Sequence, residues 1–535
     1  MKRKLLIPVL FIHFVTYSQS GVLPPDGGGS YLATAPVNDE ITPQERASII
    51  NMLKANEASL RSSGKLVLPD NPTTTAFAWP IKQAPGYNDN GFYGISNYVD
   101  ENPSFPNLLL DYNCGTRTYD QASGYNHAGT DIFTWPYQWK KMERNIVQVI
   151  AGASGTIISK SDGNFDQNCA FCSGSCTWNA VYIMHADGSV AWYGHLKSGS
   201  LTSKTVGQAV VTGEYLGVVG SSGNSTGPHL HLEVYTNSSY TQLIDPWNGT
   251  CNSLNPGVSW WASQQAYYVP TLAKVMTHGA APQAGGSCPN QEVSNEKINF
   301  MPGETIFLSS YYRDQQNGQS SSHAVYRPDG TLYTSWTQNF TTWYSASWWY
   351  YSLALPNPAP AGTWKYEITY NGTQKANCFF TMTSGPVVIC PDNYNVLTSN
   401  LVAATSYQWQ VNTGSGFVNI SNGVDYSGVT TRFLQLNNTP SSFYGYQYRC
   451  VVDGSSFSNT LSLKFTSYWK GGISKAWENP SNWSCGNIPD INTDVVIPVT
   501  TNTPEVSSSA SCRTLTVNNG ATVTVKTGVN LTVLK

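Results

Sequence analysis

The sequence predicts an all-β, multidomain protein. A chain of 535 residues is longer than one hydrophobic core usually supports, and its length suggests roughly three to four domains. Only 11% of the residues are charged, whereas 40% are hydrophobic and 13% aromatic, which suits packed cores and excludes a disordered chain. The hydrophobic residues occur in short runs between turns rich in Gly and Asn, a pattern typical of β-strands. The net charge of -3 argues against a nucleic-acid partner.

The first 20 residues have the pattern of a secretory signal peptide. A basic start from Lys2 to Lys4 precedes an apolar run from Leu5 to Val15, and small residues follow up to Ser20. The apolar run is too short to span a bilayer comfortably. We therefore expect cleavage near Ser20 and a secreted protein, extracellular or periplasmic, without a transmembrane segment. An uncleaved membrane anchor is the alternative.

Residues 21–76 are predicted to be a linker or pro-segment that contains one amphipathic helix, from about Pro43 to Arg61. Thr42 suits the N-cap, Pro43 suits the first helical position, and Glu45 completes a capping box. Whether this segment is removed or clasps the next domain stays open. The apolar stripe of the helix consists of Ile49, Ile50, Leu53 and Leu60.

Residues 77–268 are predicted to form an antiparallel β domain, because short strand patterns alternate there with turns and no long helical pattern occurs. Five of the eight histidines lie between His127 and His231. The clearest predicted strands are Ile146–Ala151, Gly155–Ser159, Ala180–His185, Val190–Tyr193 and Tyr215–Val219.

A Gly- and Pro-containing break at residues 279–286 precedes a second β domain at residues 287–385. Its Trp- and Tyr-rich strands and turn signals predict a β-sandwich of about 100 residues. The sequence favours sandwich core over a sugar-stacking face for these aromatic residues, which are Trp343, Trp348, Trp349, Tyr350 and Tyr351.

Residues 386–467 resemble an immunoglobulin-like sandwich. Trp409 lies between Cys390 and Cys450, and Tyr448 stands two residues before the second cysteine, as in a tyrosine corner. The final module, residues 468–535, has short strands at regular spacing and resembles the first coils of a β-solenoid. We expect this tail to be a cap or a docking element.

Eleven cysteines in an exported chain predict disulfides rather than thiols. Pairing within modules is the simplest expectation, with Cys288 bonded to Cys378, Cys390 to Cys450, and Cys485 to Cys512. The connectivity of the first group stays open, and one member is left without a partner. That group consists of Cys114, Cys169, Cys172, Cys176 and Cys251.

The stretch around His229 and His231 alternates polar and apolar residues, which predicts a half-buried strand. Side chains two positions apart on a strand project from the same face. The two imidazoles should therefore lie side by side, with Leu230, Leu232 and Val234 on the opposite face. Two imidazoles on a rigid strand suit a metal site, although His-x-His also occurs by chance.

Two further segments bring similar groups. His127 and Asp131 are four residues apart on an extended segment, with Gly129 leaving room between them, and His195 follows a run of aromatic residues. Catalytic zinc usually takes three protein ligands and keeps a fourth position for water, whose pKa the ion lowers from about 15.7 towards about 7. Two further histidines can then orient or deprotonate that water. Spacing alone leaves open which of the four histidines are ligands.

The motifs His127-x-x-x-Asp131, Tyr-Gly-His195-Leu and Gly-Pro-His229-Leu-His231, in this order, closely resemble those of the lysostaphin-like (β-lytic type) zinc metallopeptidases. The resemblance implies a two-sheet antiparallel domain with a groove across the larger sheet. It implies that His127, Asp131 and His231 bind one Zn²⁺ ion. It also implies that His195 and His229 are the catalytic histidines beside the water.

The resemblance, which covers residues 77–268, implies a secreted zinc metalloendopeptidase that hydrolyses peptide bonds in bacterial peptidoglycan, in stem peptides or cross-bridges. One alternative is a secreted protease of Gly-rich extracellular proteins. Another is a non-catalytic wall-binding or adhesion protein whose C-terminal modules contact cell surfaces or glycans. His185 is left outside the site, and His278 and His323 are expected at the surface.

Overall fold

The computed structural model of the protein covers most of the chain after the predicted signal peptide, and residues 1–20 lie outside the described part. No helix in that part is both long and apolar enough to cross a membrane. The described residues are 21–30, 41–70, 73–171, 176–285, 288–301, 303–356, 359–360, 362–382, 387–391, 395–399, 406–437, 439–454, 456–458 and 460–535.

The regular secondary structure of the described residues is mostly β-strand, as the sequence predicts. The N-terminal segment contains β1 (Gly27–Ser30) and α1 (Pro43–Ser62). The first β domain contains β2 (Ile81–Gln83), β3 (Tyr93–Asn97), β4 (Thr130–Thr134), α2 (Gln138–Glu143), β5 (Val147–Ile150), β6 (Gly155–Ser161), β7 (Ala180–His185), β8 (Val190–Gly194), β9 (Ala209–Val210), β10 (Tyr215–Val218), β11 (His229–Tyr235) and β12 (Leu243–Ile244). The sandwich contains β13 (Thr271–His278), β14 (Asn299–Phe300), β15 (Thr305–Gln315), β16 (Ser320–Tyr326), β17 (Leu332–Asn339), β18 (Tyr344–Ala354), β19 (Gly362–Tyr370) and β20 (Gln374–Met382). The immunoglobulin-like module contains β21 (Val387–Ile389), β22 (Asn395–Thr398), β23 (Tyr407–Asn412), β24 (Phe417–Asn419), β25 (Tyr426–Ser427), β26 (Phe433–Leu436), β27 (Gln447–Val452), β28 (Ser456–Phe457) and β29 (Leu461–Tyr468). The tail contains β30 (Thr493–Ile497), β31 (Glu505–Val506), β32 (Ala510–Cys512), β33 (Thr514–Val517), β34 (Thr524–Val525) and β35 (Leu531–Val533).

Helix α1 begins and ends close to the predicted residues. The Thr42 hydroxyl accepts a hydrogen bond from the Glu45 backbone N–H at 3.2 Å, and the Glu45 carboxylate accepts one from the Thr42 N–H at 3.0 Å. This reciprocal capping box satisfies two of the backbone donors that a helix start leaves without intrahelical partners. Leu53 and Leu60 of the predicted stripe are buried.

The first β domain consists of two antiparallel sheets. The larger has the strand order β3-β4-β11-β8-β7-β6-β9, with β12 paired to β11, and the smaller has the order β10-β5-β2. The core between them is filled from alternating positions, because successive side chains of a strand point to opposite faces. Leu230, Leu232 and Val234 of β11 lie in this core, as the alternation predicts.

The β-sandwich recruits strands from outside its predicted range of residues 287–385. One sheet has the order β1-β18-β15-β13, and the other has the order β14-β20-β19-β16-β17. Strand β13 pairs with β15 from Thr271 to His278, and β1 of the N-terminal segment pairs with β18. The sandwich therefore begins before the predicted break, and β1 covers one edge of its first sheet.

The immunoglobulin-like module and the tail share a sheet. Trp409 on β23 lies opposite Cys450 on β27, and both are fully buried. Strand β29 then pairs in parallel with β30, and β30 pairs in parallel with β33. Parallel pairing between successive turns of chain is the pattern of a solenoid coil. The tail coil packs around buried Trp469, Trp477 and Trp483.

The three disulfide pairs that the sequence analysis gives by residue number are wrong. Cys169 bonds to Cys288, and Cys390 bonds to Cys485, so both bonds join different modules. The expected bonds from Cys288 to Cys378, from Cys390 to Cys450 and from Cys485 to Cys512 do not form. Cys378, Cys450 and Cys512 are thiols. In the first group Cys114 pairs with Cys251 and Cys176 is disulfide-bonded, whereas Cys172 lies outside the described residues.

The surface positions expected for His278 and His323 are also wrong, because both side chains are buried. His278 contacts the Ser294 carbonyl and the Ser309 hydroxyl through its two ring nitrogens. His323 stacks on Trp336 with ring centroids 4.9 Å apart. Burial lowers the pKa of both imidazoles to about 3, so both act as neutral core residues.

We expect peptide mapping without reduction to recover the Cys169–Cys288 and Cys390–Cys485 peptides and to find thiols at Cys378, Cys450 and Cys512. Burial raises the pKa of the Cys378 thiol well above its usual range, which disfavours the reactive thiolate. Alkylation of these thiols should therefore be slow in the folded protein and fast after denaturation. A peptide that links Cys288 to Cys378 would contradict this connectivity.

Candidate metal centre

Three neighbouring strands of the larger sheet bring the five predicted site residues together. Strand β11 lies between β4 and β8, and His231 is directly opposite both Asp131 on β4 and Gly194 on β8. His195 follows Gly194, and His127 precedes β4. The antiparallel register therefore gathers residues that are up to 104 positions apart in the chain onto one face of the sheet.

Three of these side chains form a group suited to a metal ion. The Nε2 atom of His127 lies 3.0 Å from one carboxylate oxygen of Asp131, and Nδ1 of His231 lies 2.9 Å from the other. One ligand atom from each of the three residues lies within 4.8 Å of the other two. Nitrogen and carboxylate ligands that bind one ion at about 2.0–2.2 Å must be a few ångströms apart. Two imidazoles and one carboxylate therefore fit a divalent transition-metal ion.

The other ring nitrogen of each imidazole in this group is held in place. Nδ1 of His127 lies 2.6 Å from the Tyr98 carbonyl oxygen, and Nε2 of His231 lies 3.2 Å from the Glu233 carboxylate. Such outer contacts select the tautomer and the ring orientation of metal-binding histidines. They direct Nε2 of His127 and Nδ1 of His231 towards Asp131.

His195 and His229 lie beside this group as a pair, with ring centroids 4.4 Å apart. Nδ1 of His195 lies 2.6 Å from the Ser222 carbonyl oxygen, and Nδ1 of His229 lies 2.8 Å from the Gly227 carbonyl oxygen. Each Nδ1–H therefore donates to the backbone, which makes Nε2 the basic nitrogen of both rings. His229 Nε2 is 3.6 Å from Asp131.

The backbone at His195 is strained. Its φ of 59° lies in the left-handed region, which is uncommon for residues other than glycine and tends to occur at functional sites. The neighbouring Leu196 carbonyl accepts hydrogen bonds from Asn179 at 3.1 Å and from Ser222 at 2.9 Å. These bonds hold the turn that aims His195 at the site.

At two positions near the site only glycine fits, because a neighbouring side chain approaches the backbone closely. A Cβ on Gly129 would lie 2.6 Å from Nε2 of His231, and a Cβ on Gly194 would lie 2.1 Å from the ring of Trp178. The sequence suggests that Gly129 leaves room for an ion, but the room it leaves is occupied by the His231 ring. Gly194 allows Trp178 to pack against His195, with ring centroids 5.1 Å apart.

Three residues that contact the site are not predicted from the sequence. Asn97 donates a hydrogen bond to Asp131 at 2.9 Å, Glu233 contacts His231, and Trp178 packs on His195. Glu233 stands two positions after His231 on the same strand, so the alternation that pairs His229 with His231 could have identified it. Asn97 and Trp178 have no local signal, because only strand pairing and loop packing bring them to the site.

Glu233 is also part of a second ion pair. Its carboxylate contacts the Arg46 guanidinium and the Tyr235 hydroxyl, and its side chain is fully buried. Burial alone raises the pKa of Glu233, but Arg46 and His231 outweigh that effect and lower the pKa to about 2. Glu233 is therefore ionised, and Arg46 of helix α1 compensates its charge.

His185 lies apart from this group, as expected. Its Nδ1 atom is 2.9 Å from the Ser154 carbonyl oxygen, and its ring packs edge-on against Phe77 at a centroid distance of 5.2 Å. A substitution of His185 can therefore serve as a control for substitutions of the site histidines on the same sheet.

We expect Gly129→Ala to lower the free energy of unfolding by about 1–3 kcal/mol, because the added methyl group must displace the His231 ring or the backbone. Thermal or denaturant unfolding of the full chain measures this change. Gly423→Ala is the control, since a Cβ at Gly423 meets no atom within 4 Å. Equal stability of the two variants would show that the His231 ring is not confined in this position.

Comparisons with known proteins agree with this geometry. Residues 468–535 match a domain of unknown function, DUF8693, and residues 126–246 match Peptidase family M23. The chain is 48% identical over 68 residues to the DD-carboxypeptidase/endopeptidase Mpg of Neisseria meningitidis serogroup B and of Neisseria gonorrhoeae. That match covers 13% of this chain and only 14% of each relative.

Two solved structures that match parts of this chain have low TM-scores. A mutant of the catalytic domain of the prophage-encoded M23 protein EnpA from Enterococcus faecalis is 21% identical, and the match covers 30% of this chain and 94% of that one with a TM-score of 0.16. A three-domain immunoglobulin fragment of titin is 15% identical, with 31% and 61% of the two chains covered and a TM-score of 0.13. The family match and the histidine motifs lie in the same segment, and residues 126–246 of this chain are a Peptidase family M23 domain, of the lysostaphin-like family.

Proposed function

We propose that this protein is a secreted zinc metalloendopeptidase that hydrolyses peptide bonds in bacterial peptidoglycan. The observation that carries the proposal is the group of His127, Asp131 and His231, whose ligand atoms lie within 4.8 Å of one another beside a second pair of imidazoles. The Peptidase family M23 match over the same residues supports peptide-bond hydrolysis as the reaction.

Zinc is the metal we propose for this group. Two neutral imidazoles and one carboxylate are a common zinc ligand set, and three protein ligands leave one position for water or substrate. Zinc bound there would lower the pKa of water and polarise the scissile carbonyl group. The Asn97 amide, which donates to Asp131 at 2.9 Å, and the Glu233 carboxylate next to His231 would orient two of the three ligands.

His195 and His229 are proposed to move protons and to stabilise charge. Their Nδ1 atoms are engaged by backbone carbonyl oxygens, so Nε2 of each ring is the nitrogen that can accept a proton from water or donate one to the leaving amine. A protonated imidazole at the same position can also donate a hydrogen bond to the oxyanion. Because both rings are buried, little water competes for these interactions.

Peptidoglycan is the proposed substrate for two reasons. The Neisseria relatives are named for DD-carboxypeptidase and endopeptidase activity, and peptide bonds between D-amino acids are typical of peptidoglycan. The disulfides Cys114–Cys251, Cys169–Cys288 and Cys390–Cys485, together with a further disulfide at Cys176, support an oxidising compartment outside the cytoplasm. Export would bring the enzyme into contact with cell walls.

The test is release of new amino termini from purified peptidoglycan, with the fragments identified by mass spectrometry. We expect the wild-type protein to release them and His231→Ala to lose both zinc and activity. His229→Ala should keep about one zinc per chain but lower kcat by about 10²–10⁴-fold, the usual contribution of a general acid or base. His185→Gln is the matched control on the same sheet and should keep both properties. Equal hydrolysis by wild type and His231→Ala would refute the proposed site.

Metal removal should inactivate the protein without unfolding the modules beyond residue 268. We expect a chelator to abolish hydrolysis and added Zn²⁺ to restore it, while the near-ultraviolet circular dichroism of the aromatic-rich sandwich stays unchanged. Zinc content should also fall below about pH 6, because protons compete with the metal for imidazole nitrogens. Undiminished zinc binding at about pH 4 would contradict a site built from histidines.

A further inference from the structure

Helix α1 lies on the face of the larger sheet that carries the site. Its buried residues Leu53 and Leu60 belong to the same apolar cluster as Tyr182 on β7, Trp192 on β8 and Tyr235 on β11. Tyr235 and His231 are an even number of residues apart on β11, so they share a face. The intervening Leu232 and Val234 instead enter the core between the two sheets. The helix therefore covers the histidine-bearing face and not the back of the sheet.

The length of the helix makes this cover extensive. Twenty helical residues extend about 30 Å, and neighbouring strands are about 4.8 Å apart, so α1 can cross most of the sheet. At its far end Asn56 donates a hydrogen bond to the Ile158 carbonyl of β6 at 3.1 Å. Leu60 packs so closely over Gly207 that a Cβ there would lie 2.9 Å from it.

The first turn of the helix is anchored beside the metal group. The Arg46 guanidinium forms a two-pronged contact with Glu233, one prong at 3.2 Å, and lies over the Trp192 ring at 5.6 Å. Glu45 accepts a hydrogen bond from the backbone N–H of Cys176 at 3.1 Å. An Arg–carboxylate pair of this kind is directional and strong when it is shielded from water, and Glu233 is fully buried.

Only a limited space remains between the helix and His195. A cavity of about 300 Å³ lies under the start of α1, at the lower end of the volumes typical of ligand sites. Ile41, Ile49 and Met52 form its roof, and Trp178, His195 and Asn224 form its other walls. All five site residues are at most 1% exposed, so a peptidoglycan strand cannot contact them in this conformation.

We propose that residues 41–66, here called the lid, close the substrate groove of this domain, and that the Arg46–Glu233 ion pair holds the lid shut. Substrate hydrolysis then requires displacement or removal of the lid. The expected effect of the lid on hydrolysis rests on the proposed peptidase function. Closure of the lid also limits access of reagents to His195, and this access can be measured without any substrate.

The experiment compares full-length wild type with Arg46→Ala, Leu53→Asp and Ala55→Asp. Arg46→Ala removes the ion pair, and Leu53→Asp places a charge under the helix, where Leu53 is 0% exposed. Ala55 is exposed on the outer side of the same helix, so Ala55→Asp is the matched control for Leu53→Asp. The first readout is the rate at which diethyl pyrocarbonate modifies His195, measured by mass spectrometry, and the second is hydrolysis of peptidoglycan.

We expect Arg46→Ala and Leu53→Asp to raise both rates by about tenfold or more, because local opening becomes more populated, whereas Ala55→Asp changes neither. Buried His323 in the sandwich serves as an internal reference, and its modification should stay slow in every variant that keeps its fold. Faster modification of His323 would identify a variant that has unfolded, and Arg46→Ala then carries the test because it leaves the apolar contacts of the helix in place.

The possible results distinguish a failure of the lid proposal from a failure of the proposed peptidase function. Unchanged modification of His195 in both opening variants would overturn the closure of the groove. Faster modification without faster hydrolysis, in a wild type that does hydrolyse peptidoglycan, would overturn the inhibitory role. Faster modification in a series in which no variant hydrolyses peptidoglycan would support closure and overturn the proposed function.

Discussion

The register between β11 and its two neighbours is the constraint on which the rest of the site depends. His231 faces Asp131 on one side and Gly194 on the other, and a slip of one residue would turn His229, His231 and Glu233 towards the core. Leu230, Leu232 and Val234 alternate with these residues and are fully buried in the core. They make such a slip costly, because their apolar side chains would lose their packing. The same alternation therefore builds the hydrophobic core and selects the histidine-bearing face. In this strand, a change that shifts the packing of the core also shifts the geometry of the site.

Burying four imidazoles and two carboxylates in one place would be unfavourable unless their polar atoms had partners. Backbone carbonyl groups of Tyr98, Ser222 and Gly227 accept hydrogen bonds from three of the rings, and Glu233 engages the fourth. The three carbonyl groups come from loops, so the loops determine which nitrogen of these three rings faces the centre, whereas Glu233 lies on the same strand as His231. The turn-rich segment before His229 thus has a chemical role, since it supplies two of the three carbonyl oxygens. The sheet positions the rings, the loops select the tautomers of three of them, and Glu233 selects that of His231.

Local patterns in the sequence were sufficient wherever the determining contacts are local. Strand alternation predicted the all-β architecture and the shared face of His229 and His231, and the capping signals predicted where α1 begins. The family resemblance predicted a match that residues 126–246 confirm, whereas the roles of the individual site residues stay predictions. Long-range contacts were not predictable in this way. The disulfides join cysteines 119 and 95 residues apart, and His278 is buried because distant Ser309 meets its ring. The contact between Arg46 and Glu233, which are 187 residues apart, is another long-range contact that the local sequence does not predict.

The lid has a further physical consequence that follows from its size. An isolated helix of about 20 residues is marginal in water, and most helices in proteins are held by the packing of one apolar face. Once Leu53 and Leu60 leave the sheet, α1 loses the contacts that stabilise it as a helix, so opening of the groove is coupled to unfolding of the lid. That coupling makes intermediate positions unfavourable, because a partly lifted helix exposes its apolar stripe while it still pays the conformational cost of being ordered. The groove is therefore expected to alternate between a closed state with a formed helix and an open state with a flexible segment. The Arg46–Glu233 pair adds its stability to the closed state alone.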